Sequence, residues 1–138
     1  MITLNILQLL SDNGFGDIAL IGNEPDAVLF HEKLPLDNDG VYIVSRGAPL
    51  ARGQRRTQAF DIYVRGEDDF AGAETAEEIM EFFRTQCYPS CTLPVVPSLS
   101  TKQYKKTTIV PTTNVQNVGQ DGTDRVIYVV SAEVRYSN

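Results

Sequence analysis

Few residues in this chain have the chemistry to make or break a bond. There is one histidine, His31, followed directly by Glu32, and there are two cysteines, Cys87 and Cys91. A histidine beside a carboxylate, or the carboxylate pair Asp37 and Asp39, is the minimum equipment for general acid–base work. Such work also needs a nucleophile or an oxyanion-stabilising arrangement, and the neighbouring sequence suggests neither, so no enzymatic activity is expected. Cys87 and Cys91 stand four residues apart, a spacing that a helix would bring to one face, but Pro89 between them breaks that geometry. With only distant His31 to help, they fall short of a structural zinc site and read as small buried hydrophobes. The run Asp37-Asn38-Asp39-Gly40 lacks the spaced ligands and closing glutamate of a calcium loop. Gly14-Phe15-Gly16 is too short for a phosphate cradle and does not open a helix. Neither a metal nor a cofactor is expected.

Charge offers more. Arg46, Arg52, Arg55 and Arg56 fall within residues 46–56, a stretch without a single acid that holds half of the chain's eight arginines. The chain as a whole carries 18 acids against 12 bases, a net charge of -6, which disfavours a dedicated nucleic-acid binder. The arginine stretch therefore has three readings. It is a solvated hairpin loop balanced by nearby carboxylates, a contact for an acidic protein partner, or a contact for DNA phosphates. Lys102, Lys105 and Lys106, grouped around Tyr104, form a second basic segment, either a solvated loop or one that orders against a neighbour.

These groups must be held by regular elements. Leu4, Leu7 and Leu10, widened by Ile6 and Leu9, give residues 3–13 the spacing of a helical face. Thr3 is a candidate N-cap, and Asn13-Gly14 a stop. Residues 18–21 read as a short strand, 23–26 as a turn, 27–30 as a strand or one helical turn, and 35–40 as a loop. Val41–Val44 is a strand, residues 46–56 a loop, and Gln58–Arg65 a strand with Phe60, Ile62 and Val64 on one face. Residues 69–86 form an amphipathic helix capped by Asp68 or Asp69, with a core stripe of Phe70, Ala73, Ala76, Met80 and Phe83 beside Ile79. Cys91–Val96 reads as a brief strand and 98–106 as a polar, mobile segment. Two long strands, 107–118 and 124–136, join at an Asp121-Gly122 turn, with Pro111 confined to an edge or bulge. The order predicts an α+β fold: a mostly antiparallel β-sheet, two α-helices packed on one face, and a long C-terminal β-hairpin.

At 138 residues the chain is sized for one domain, spanning 1–138. Such a domain buries roughly 65–70% of its unfolded surface and needs no covalent staples. A hydrophobic content of 42% and a charged content of 22% exclude wholesale disorder. No apolar run approaches the ~20 residues of a membrane span, so no membrane partner is expected. Residues 1–21 lack the pattern of a signal peptide, and the chain reads as cytosolic in origin.

Three stretches taken together resemble a known family. They are the N-terminal helix ending in Asn13-Gly14-Phe15, the unit Thr57–Arg65 running into Glu74-Thr75-Ala76-Glu77-Glu78-Ile79, and the closing segment from Val118 through Gly122 to Tyr136. In order and spacing this resembles the tail terminator and head-to-tail joining proteins of long-tailed bacteriophages, also described as minor capsid or tail completion proteins. The resemblance covers most of the chain, residues 27–40 and 98–106 excepted. It implies a structural virion protein at the tail–neck junction, assembled in the host cytoplasm. It further implies a homo-oligomeric ring, commonly a hexamer, that caps the tail tube protein, stops its growth and meets a neck or head-completion protein. On that resemblance Arg46, Arg52, Arg55 and Arg56, with Lys102, Lys105 and Lys106, become candidates for a partner interface or for facing DNA that passes through the lumen. Another neck component, or a small cytosolic ligand-binding α+β domain, is the alternative. A closed ring requires each subunit to offer two unlike surfaces, and polar-tipped strands can also extend onto a neighbour by edge pairing.

Overall fold

A computed structural model describes residues 2–19, 27–32, 39–66, 69–96, 102–120 and 125–137. Helix α1 covers Ile2–Asp12 and buries Ile6, Leu7 and Leu10 completely. It closes on a Schellman arrangement: Phe15 N–H donates to Leu10 O, Gly14 N–H donates to Ser11 O, and Gly14 takes φ 88°. Thr3 is not its cap. Thr3 lies inside the helix, almost wholly buried, with Oγ1 2.9 Å from His31 Nε2.

Strand β1 (Leu29–His31) runs parallel to β2 (Gly40–Arg52), and Ile18 adds one parallel bridge to Leu29. Of residues 27–30, Leu29 and Phe30 belong to β1 and Ala27 and Val28 lead into it. Of the expected strand at 18–21, only Ile18 and Ala19 are described, and the turn at 23–26 and most of the loop at 35–40 lie outside the described residues. Strand β3 (Arg55–Gly66) pairs antiparallel with β2. The expected loop over 46–56 is therefore mostly ladder, closed by a two-residue turn at Gly53-Gln54.

Helix α2 spans Asp69–Gln86, as the periodicity predicts, although Asp68 and the Asp69 side chain lie outside what is described. Its expected stripe holds at Ala76, Ile79 and Phe83, with Met80 partly buried against the core, but fails at Phe70. Phe70 is 86% exposed, while Ala76, Ile79 and Phe83 are fully buried. Following that row back one turn leads to Gly72, whose missing Cβ would stand 3.4 Å from the Tyr128 ring. At about 100° per residue, Phe70 lies about 200° round from Gly72 and faces away from the sheet. A glycine makes the close approach, and a hydrophobicity pattern does not register it.

Strands β4 (Lys105–Pro111) and β5 (Gln116–Gln120) both pair with β6 (Val126–Ser137). The single strand expected over 107–118 is thus broken, with Thr112 N–H donating to Ser131 O at the break. Its hairpin turn at 121–124 is not described. Cys91–Val96 forms no extended strand; Cys91 makes one antiparallel bridge to Thr107. Within the segment expected to be mobile, Tyr104 is buried edge-on against Tyr136 at 5.0 Å, and Lys105 and Lys106 belong to β4.

The sheet order is β1-β2-β3-β6-β4, with β5 beside the first half of β6. Register sets Ile43, Ile62 and Val130 in one row and Phe60 opposite Ala132. These residues share a face and one core with Ile6, Leu10, Ile79 and Phe83 of the two helices. The fold is α+β, mostly antiparallel, with both helices on that face. The opposite face carries the stacked pair Tyr42–Tyr63, with ring centroids 4.9 Å apart, and Asp61 beside Ser131.

Candidate functional site: the basic end of the sheet

Two segments that are far apart in sequence meet at one end of the sheet. The link is the end of β6. Ser137 pairs with Arg55 on one side and with Lys105 on the other. Arg55 closes the gap by donating from Nη1 to Lys106 O at 2.9 Å. Arg52 lies opposite Arg55, and Arg56 opposite Tyr136. Arg52, Arg55, Arg56, Lys105 and Lys106 thus share one end of the molecule. Lys102 stands beside it, its Nζ 5.2 Å above the Tyr104 ring. No acid occurs between residues 45 and 60 or between 102 and 120, so these two segments bring only positive charge to this end of a chain of net charge -6. Burial raises the Tyr136 hydroxyl pKa, and the Arg56 charge opposes that rise.

The end is built by local devices. Gly53 takes φ 61°, the left-handed value that a type II′ hairpin needs at its first turn position. The ladder slips between Arg46 and Leu50. Buried Gln58 holds this bulge, donating from Nε2 to Gly47 O at 3.0 Å and Arg46 O at 3.4 Å. Across the turn Leu50 opposes Thr57 and Arg52 opposes Arg55, so Leu50, Arg52 and Arg55 project on one side. Leu50 is 73% exposed.

Arg46 does not join this cluster. It lies on the near side of the bulge, with Nε 3.1 Å from Asp61 Oδ1, and Ser131 Oγ donates to the same oxygen at 2.7 Å. Burial first, and then Asp61, pushes the neighbouring Tyr63 pKa up.

The molecule also has an acidic face. Glu74, Glu77, Glu78 and Glu81 of α2 are exposed and line a groove of about 640 Å³ together with Met80 and Val115. Arg84 enters the same groove, paired with Glu81 at 2.8 Å. The groove lies along α2, away from the turn at Gly53.

His31 does not stand between Thr3 and Glu32 in a hydroxyl–imidazole–carboxylate relay. Thr3 Oγ1 at 2.9 Å and Glu32 Oε1 at 3.6 Å both approach the same His31 nitrogen, Nε2. A relay needs the carboxylate on one ring nitrogen and the hydroxyl on the other. Thr3 is also sealed from solvent. Burial lowers the His31 pKa, partly offset by Glu32. Asp37 is not described, and Asp39 pairs with Arg125 at 2.8 Å.

The thiols are closer together than Pro89 suggested. Cys87 O accepts from Ile109 N–H, and Cys91 N–H donates to Thr107 O, so both cysteines hang from one edge of β4. Their thiols share a hydrogen bond, which raises the Cys87 pKa and lowers that of Cys91. Among the described residues no three His, Cys, Asp or Glu side chains converge on a metal-sized site. Sequence reasoning missed the thiol contact, which depends on how the segment after α2 docks on β4, and the Asp61 cluster, which depends on the register of distant strands. A scan against protein-family models finds no match for the chain, and a search of curated proteins finds none.

Proposed function

We propose that the chain is a structural subunit of a long-tailed phage neck, a tail terminator that self-associates into a ring on the end of the tail tube and presents a surface to the head. The reading rests on the family resemblance of the three stretches named above. Its main structural support is the polarity of the domain. One end of the sheet gathers Arg52, Arg55, Arg56, Lys105 and Lys106, while α2 presents Glu74, Glu77, Glu78 and Glu81. A head-to-tail ring needs two such unlike surfaces on every copy.

The sheet edges bear on how copies would meet. Cys91 bridges the outer edge of β4, and Ile18 bridges β1. On β5, which is exposed along its length, a bulge between Asn117 and Gly119 kinks the edge. Covered and bulged edges discourage open-ended strand addition. Side-chain docking is then the better route to a closed ring.

In this reading no bond is made or broken; the ring works by its fit to the tube. The test is electron microscopy of a lysate from a phage lacking the gene. Tails of unregulated length are the expected result. Normal tails that fail to join heads would move the chain to another neck component, and normal virions would overturn the reading.

A further inference from the structure

We propose that the turn of the β2–β3 hairpin seats in the α2 groove of a second copy of this chain, with Leu50 over Met80 and Val115 and with Arg52 and Arg55 against the glutamates. The proposal rests on the ring reading above and names the contact that would build the ring.

The two surfaces match in two independent respects. The donor side is an exposed leucine flanked by two guanidinium groups that project from the same face of a two-stranded ribbon. The acceptor side is a groove lined by Met80 and Val115 together with Glu74, Glu77, Glu78 and Glu81, the last paired with Arg84. Leucine on methionine and valine removes apolar area from water, and arginine is suited to carboxylate pairing in a partly desolvated setting. The match runs from one copy to the next, because turn and groove occupy different parts of the domain. The contact is therefore heterologous and generates a ring wherever its rotation closes. It needs no free sheet edge.

The pairing is also directional. DNA phosphates would satisfy Arg52 and Arg55 but give Leu50 nothing to pack on and leave the acidic groove without a partner. A contact of one ribbon tip is small beside the ~1,600 Å² of an ordinary stable interface. Single contacts are consequently weak, and closure, in which every copy makes two, supplies the stability.

The test is sedimentation of the full chain over a range of concentrations and salt, with two charge-reversed variants. In one, Arg52→Glu and Arg55→Glu make the turn acidic; in the other, Glu77→Lys and Glu78→Lys make the groove basic. The wild-type chain is expected to self-associate, more weakly as salt rises. Each variant alone is expected to lose at least about tenfold in association. An equimolar mixture of the two is expected to regain it, because acidic turns then face basic grooves and basic turns face acidic ones. Hydrogen exchange on the assembled wild-type protein gives a check without substitutions. Slowed exchange is expected in residues 48–56 and 74–84 together.

Variants that associate like the wild type, a mixture that stays dissociated, or protection elsewhere on the surface would overturn this contact and leave the ring reading standing. A wild-type chain that stays monomeric to its solubility limit would end both. Binding of a short DNA duplex that is lost in the turn variant, with self-association unchanged, would assign the basic end to nucleic acid instead.

Discussion

The β2–β3 hairpin is one continuous ladder with two different halves. Its inner half, 40–46 against 59–65, carries Val41, Ile43, Phe60 and Ile62 into the core beneath both helices. Its outer half, 47–57, is exposed and rich in arginine. The division falls at the bulge between Arg46 and Leu50, where Gln58 turns its amide to the slipped backbone. A strand thus changes role within two residues without changing partner. Backbone pairing fixes where the outer half points, and none of its residues belongs to the buried core cluster.

Substitution on the inner side is expected to have the largest effect. Phe60 is fully buried and meets Phe83 edge-to-face at 6.0 Å. Phe60→Ala is expected to lower stability by about 3–5 kcal/mol, a cost set by lost burial and the cavity left behind. Leu50→Ala, a large-to-small change at an exposed position on the other strand of the hairpin, is expected to move stability by less than about 0.5 kcal/mol. Urea denaturation of both variants checks this. Equal losses would mean that the outer half contributes to the core after all.

The boundary itself is the next point of attack. Gln58→Leu keeps the volume but removes the donors to Gly47 O, Arg46 O and Ala59 O. Stranding acceptors costs about 1–3 kcal/mol where water cannot reach them. The bulge borders solvent, so the lower end of that range is expected. The telling measurement is local: amide exchange should quicken across 47–57 while the core strands stay protected. Uniform quickening would show that the bulge is not a boundary.

The same contrast explains what could be read from the sequence. Val41–Val44, Gln58–Arg65 and 69–86 were legible because burial imposes a period on them, two for strands and 3.6 for the helix. The outer hairpin reads as loop because Gly47, Pro49 and Gly53 punctuate it and its side chains face water. What holds it as strand is pairing with β6, Thr57 against Arg135 and Arg55 against Ser137, which no local pattern reveals. The basic end follows the same logic. Both of its segments stood out by composition, but their meeting depends on the shared partner Ser137. Phe70 misled for the opposite reason, since an apolar residue in register with a core stripe need not face the core when a glycine sets the true one.

The smallest expected effect concerns the other edge of the sheet, where the inner half meets α1. His31 lies between buried Thr3 and exposed Glu32, and burial holds its folded pKa below the ordinary value near 6.5. The unfolded chain therefore takes up the proton first as pH falls. The stability linked to this site is complete above about pH 6.5 and is lost as pH drops through the lower folded value. Glu32 favours the protonated ring and keeps the effect small. His31→Gln retains a group able to bond Thr3 Oγ1 but cannot titrate. Denaturation midpoints at about pH 7 and about pH 5 should therefore fall less in the variant than in the wild type. Because the outer hairpin takes no part in this site, Leu50→Ala should show the full wild-type pH dependence, and a reduced one would couple two regions that the bulge is argued to separate.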